Sequence, residues 1–145
     1  MPATDEEDTW VWSQIKAEAK RDAEAEPALA SYLYSTILSH SSLDRSLSFH
    51  LGNKLCSSTL LSTLLYDLFL NAFSSDSNLR SAAIADLRAA RERDPACVSY
   101  SHCLLNYKGF LSCQVTQDFF YFYFSSFPYF FYFLCCTLFF FFFFS

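Results

Sequence analysis

The chain has 145 residues and a net charge of −5, with over half its side chains apolar, 29 aromatics and only two glycines. That length suits one domain, and so large an apolar share at so low a charge excludes a fully disordered chain. Ten basic residues against 15 acidic ones, with no basic block, exclude the footprint of a nucleic-acid-binding protein. Gly52 and Gly109 alone cannot supply the turns of collagen or of most β-solenoids.

Periodicity predicts an all-α bundle of about six helices, followed by an aberrant Phe-rich tail. The first helix is expected to open near Asp8 or Thr9, either of which can accept a bond from a free backbone N–H. This leaves residues 1–9 as an acidic, disordered N-terminus. Trp12, Ile15 and Ala19 recur at helical spacing, with Lys16, Glu18, Lys20 and Arg21 on other faces. Pro27 fits the first turn of a second helix whose core stripe would be Leu29, Tyr32 or Leu33, and Ile37. Ser41 or Ser42 can cap a third helix through Leu43, Leu47, His50 and Leu51; at Gly52 and Asn53 it either ends or is crossed closely by a neighbour.

After Ser57-Ser58-Thr59, the segment Leu60 to Phe73 carries leucines and aromatics on nearly every face, which predicts a central helix. Ser74 to Ser77 reads as a turn and cap. Leu79, Ala83 and Leu87 carry the next helix, with Arg80, Arg88, Arg91 and Arg93 expected on a solvated face. Pro95 stops it and forces Asp94 out of helical conformation. A last helix from about Ser99 takes Leu104, Leu105 and Phe110, and no alternating strand pattern competes before residue 111.

The aromatics are not spread evenly: residues 1–118 hold 11 of them and residues 119–145 hold 18. From Phe119 onward 27 residues carry no charge. Six cysteines follow no secretory signal and lack zinc-ligand spacing, so reduced thiols in the cytoplasm are expected, with no metal.

Chemistry-bearing patterns are few. His40 and Asp44 match an HxxxD spacing found in some CoA-dependent acyltransferases, but Arg45 follows where a glycine is usual, and a helix-end histidine is the simpler reading. His50 lies on an apolar stripe and reads as a core histidine. His102 and Cys103 are adjacent, so on a helix they point in different directions and make a poor imidazole–thiolate pair. Asp94, between Arg93 and Pro95, is a carboxylate held by rigid backbone at a helix exit, a geometry able to meet an ammonium group or a hydroxyl.

Six stretches carry a resemblance: Trp10 to Ala19, Glu26 to Ser31, His50 to Leu55, Ala85 to Ala90, Arg93 to Ala96 and Tyr107 to Phe110. In this order and spacing, residues 10–114 resemble the amino-terminal helical domain of serine acetyltransferase, most closely that of plants. The resemblance implies acetyl transfer from acetyl-CoA to the hydroxyl of L-serine, giving the cysteine precursor O-acetylserine. It also implies self-association as a dimer of trimers and association with O-acetylserine sulfhydrylase. Asp94 falls at the family position that contacts substrate serine or inhibitory cysteine, in an intact enzyme.

The family's catalytic His and Asp and its CoA surface belong to a left-handed β-helix, whose hexapeptide repeats do not occur here. No catalytic residue and no cofactor-binding residue is therefore expected in this chain, and without a general base the serine hydroxyl is not activated. The alternatives are a non-catalytic assembly module that binds full-length subunits and a tail-anchored helical membrane protein.

Residues 115–145 depart from the family. Gln114-Val115-Thr116 is compatible with codons containing a splice-donor sequence, and a U-rich tract would encode the Phe, Tyr, Ser and Cys that follow. Translated intron is the favoured origin. A membrane anchor is the competing one, since a helix of this length would span a bilayer core.

Overall fold

The computed structural model describes residues 5–125, and side chains from Glu6 to Asp118. Most of the Phe-rich segment, for which read-through or an anchor was expected, lies outside the described residues, as do residues 1–4.

Helix α1 (Asp5–Ala25) opens a turn before Asp8 and Thr9, so these residues do not cap it and residues 5–9 are helical rather than disordered. Four acidic residues at this end suit the positive pole of the helix dipole. Helix α2 (Pro27–Leu33) starts with its proline at N1 and passes into a π-helical turn, Tyr34–Leu38. The predicted stripe is only partly correct here. Leu33 and Ile37 are buried, whereas Leu29 and Tyr32 stay about half exposed because Thr36 completes the inward face.

Helix α3 (Leu43–Leu55) buries Leu43, Leu47, His50 and Leu51 and does not stop at Gly52. Helix α4 (Ser62–Ser75) packs against it as the most extensive helix pair of the bundle. Gly52 makes that crossing possible: a Cβ there would meet the Ser62 carbonyl oxygen at 3.0 Å and the Tyr66 nitrogen at 3.2 Å. Helix α4 is not central as its composition predicts. Leu65, Phe69, Ala72 and Phe73 line one buried face, while Leu61 and Leu64 remain more than half exposed.

Asp76 caps helix α5 (Ser77–Arg93) by accepting the Asn78 N–H at 2.8 Å. Ala83, Ile84 and Leu87 bury its inner face. The last predicted helix is two: α6 (Tyr100–Asn106), capped by Ser99 Oγ, and α7 (Lys108–Ser125), with the break at Tyr107. Among the described residues there is no strand, and no helix is long and apolar enough to cross a membrane. Ile15, Leu47, Leu51, Phe69, Leu87, Leu104 and Cys97 all reach zero exposure in one core. Each large side chain there stabilises the fold by about 1.5–3 kcal/mol.

Candidate functional site

Asp94 is the residue that sequence reasoning singled out, and it sits at the exit of α5. Pro95 keeps it in an extended conformation, φ −103° and ψ 109°, while its N–H still bonds back to the Ala90 carbonyl. Its Oδ1 accepts the Ala96 N–H at 2.8 Å, and its carbonyl accepts the Cys97 N–H at 3.0 Å. The carboxylate is thus fixed to its own turn and remains half-buried.

Two elements hold this turn from outside. Arg91, in the last turn of α5, donates from Nη1 to the Cys97 carbonyl at 2.8 Å. Tyr107, at the α6–α7 break, faces Asp94 with its phenol. Burial, followed by the hydrogen bond to Asp94, pushes that phenol above its ordinary value. The His102 ring meets Tyr107 edge-on, with centroids 5.6 Å apart. Beneath the turn Cys97 and Cys103 are both fully buried, and burial, reinforced by Cys97, pushes the Cys103 thiol up to about 12. These thiols are packing groups, and no imidazole–thiolate pair forms at His102 and Cys103.

Glu18 adds a long-range support. Its Oε2 accepts the Ser101 N–H at 2.9 Å, tying α1 to the first turn of α6 just beyond the Asp94 turn. Neither Arg91, Tyr107 nor Glu18 was visible as a site residue in the sequence, because each acts through a partner fixed only by the tertiary fold. The arginines do not form a simple solvated face. Arg80 pairs with Asp8 at 3.4 Å and Arg88 with Glu7 at 3.1 Å, while Arg91 is committed to the turn.

The other histidines take structural places. His40 lies at a helix end with Nε2 3.1 Å from the Ser35 carbonyl and its ring against Phe49; burial first, and Arg45 to a lesser degree, lower its pKa. The HxxxD spacing therefore places no free base beside Asp44. His50 is 3% exposed, with Nε2 3.1 Å from the Leu105 carbonyl. Among the described residues no three His, Cys, Asp or Glu side chains cluster as metal ligands. An open cleft of about 480 Å³ lies between Trp12, Ser42, Arg80 and Ile84, but none of the residues around Asp94 lines it. The chemistry available at Asp94 is that of an oriented carboxylate, able to bind and align a cationic or hydroxylic group.

Comparison with known proteins places this turn in context. Residues 11–115 match the family described as serine acetyltransferase, N-terminal. Serine acetyltransferase 5 of Arabidopsis thaliana is 82% identical over 110 residues, which are 76% of this chain and 35% of the relative. The structure of soybean serine acetyltransferase complexed with serine superposes with a TM-score of 0.76 at 85% identity, covering 79% of this chain and 47% of that one. A serine acetyltransferase complexed with CoA matches with a TM-score of 0.77 at 38% identity, over 79% of this chain and 48% of that one. The chain thus spans a third to a half of the length of the relatives it matches.

Proposed function

The chain belongs to the serine acetyltransferase family, and from that membership we propose that it supplies the helical, substrate-contacting and assembly part of an enzyme making O-acetylserine from acetyl-CoA and L-serine. Residues 10–114 carry this role, and residues 115–145 are a segment of separate origin. The observation that carries the reading is Asp94: a carboxylate locked at the end of α5 within Arg93-Asp94-Pro95, in a chain similar to a soybean enzyme whose structure is complexed with serine.

Asp94 contributes binding and not bond-making. A carboxylate at a fixed position pairs with the ammonium group of L-serine or L-cysteine by charge-assisted hydrogen bonds. The general base and the acetyl-CoA surface come from a β-helix joined to this domain, so the chain acts on acetyl-CoA only in that company. Self-association through the helices, and association with O-acetylserine sulfhydrylase in the cytoplasm, belong to the same proposal. Exposed Leu29, Tyr32, Tyr34, Leu61 and Leu64 favour the assembly role, since apolar side chains left in water gain by being covered.

The test is a hybrid enzyme in which residues 1–115 of this chain replace the matching segment of the soybean relative. Acetyl transfer by the hybrid, with a KM for L-serine raised on the order of tenfold by Asp94→Asn, is the expected result. An unchanged KM sinks the role of Asp94. Turnover by the 145-residue chain alone would overturn the assignment of the chemistry to the β-helix.

A further inference from the structure

Asp94 can serve as a binding anion only if its turn is held in one place, and the turn has few means of holding itself. It is short, lies outside the helix ladder and carries Pro95, which has no N–H to give. Its internal bonds are the Ala96 N–H to Asp94 Oδ1 at 2.8 Å and the Cys97 N–H to the Asp94 carbonyl at 3.0 Å. Both close the turn upon itself. Neither ties its far end to helix α5.

One side chain makes that tie. Arg91 stands three residues before Asp94, and its Nη1 reaches over the turn to the Cys97 carbonyl at 2.8 Å in a partly buried setting. The turn is thereby clamped at both ends by α5: at Asp94 by the backbone bond to Ala90, and at Cys97 by the guanidinium. Cys97 itself is at zero exposure, so the clamped end is also pressed into the core. The cation additionally complements the negative pole of α5 in its last turn.

We propose that Arg91 is a positioning residue for Asp94, closing the Asp94–Cys97 turn so that the carboxylate is presented at a single place. The inference rests on the reading of Asp94 as a contact to the substrate's ammonium group. Arg91 itself touches no substrate. When it is removed the carboxylate survives, but its turn samples other positions, and misplacement of a binding group weakens the contact it makes.

Two measurements test this. In the full 145-residue chain, alkylation by iodoacetamide read by peptide mass spectrometry reports the turn through Cys97. Arg91→Met is expected to raise the Cys97 rate roughly tenfold while Cys103 stays protected, and Arg91→Lys, which keeps one cationic donor, to recover part of the protection. Equal Cys97 rates in the unsubstituted chain and Arg91→Met overturn the proposal. In the hybrid enzyme Arg91→Met is expected to raise the KM for L-serine on the order of tenfold, with the KM for acetyl-CoA unchanged and kcat within about twofold. If Asp94→Asn raises the serine KM and Arg91→Met does not, the positioning role falls and the reading of Asp94 stands. If neither variant moves it, that reading fails and takes the positioning role with it.

Discussion

Gly52 faces the Ser62 carbonyl so closely that a Cβ on it would lie 3.0 Å from that oxygen. The close approach of α3 and α4 is therefore set by one missing methyl group. Replacing Gly52 with Ala brings about 1 kcal/mol of better helix propensity but costs about 1–3 kcal/mol of overpacking. The opposing atoms are backbone and cannot swing away, so the crowding prevails. Gly52→Ala is expected to lower stability by roughly 1 kcal/mol, and Gly52→Leu by considerably more. Gly109 is the control: a Cβ there meets nothing within 4 Å, so Gly109→Ala is neutral or stabilises by up to about 1 kcal/mol. Urea unfolding midpoints decide both.

His50 carries a pH dependence. Its Nε2 lies against the Leu105 carbonyl, so the neutral ring donates its Nε2 proton there, and burial lowers its pKa from 6.5 to about 4. Between those values the unfolded chain takes up a proton that the folded chain refuses. The contribution of His50 to stability is thus full above pH 6.5 and is lost as pH falls toward 4, by roughly 3 kcal/mol at most. His50→Gln keeps an amide donor for Leu105 and is expected to remove this slope. A variant with the same pH profile as the parent chain would assign the slope elsewhere.

How much of this was legible in the sequence depended on the range of the interaction. Leu43, Leu47 and Leu51 recur at helical spacing and are buried as that spacing predicts, and Pro95 ends α5 where its missing N–H requires. Asp94 was legible for the same local reason. Leu61 and Leu64 were misplaced because composition does not tell which apolar face is covered, and α3, α5 and α7 together cover the face that holds Leu65, Phe69, Ala72 and Phe73. The partners of the Asp94 turn were not legible. Glu18 reaches Ser101 across 83 positions, and Tyr107 turns toward Asp94 only because α6 breaks there. The π-helical turn at Tyr34–Leu38 bonds i to i+5 instead of i to i+4, a local change of phase that a reading at the 3.6-residue period does not register.

The four described cysteines divide by burial into two chemical classes. Cys56 and Cys113 are exposed, whereas Cys97 and Cys103 have no exposure, and the Cys103 thiol is pushed up to about 12. Since the thiolate is the nucleophile, Cys103 carries almost none near neutral pH. Iodoacetamide at pH 8 is expected to modify Cys56 and Cys113 readily, and Cys97 and Cys103 only as fast as the fold opens. Peptide-resolved labelling in increasing urea checks this. Early modification of Cys103 in native buffer would show that α6 opens locally.

Asp118 opposes His50. Its carboxyl has zero exposure, neither oxygen has a hydrogen-bond partner among the described residues, and burial raises its pKa from 3.8 to about 8. Here the folded chain keeps a proton that the unfolded chain gives up, so stability falls as pH rises from 3.8 to about 8, by at most about 1.4 kcal/mol per pH unit. Between pH 4 and 6.5 the two groups act in opposite directions and the profile of the parent chain is expected to be shallow. Above pH 6.5 only the Asp118 slope remains, so stability declines toward pH 8. Asp118→Asn is expected to unmask the rising limb due to His50. Asp118→Leu, which removes the unpartnered polar group, should stabilise the chain by about 1–3 kcal/mol at pH 7. Thermal melts of the parent chain, Asp118→Asn and Asp118→Leu at half-unit pH steps distinguish the cases, and a parent profile that rises steadily from pH 4 to 8 would place Asp118 in contact with water.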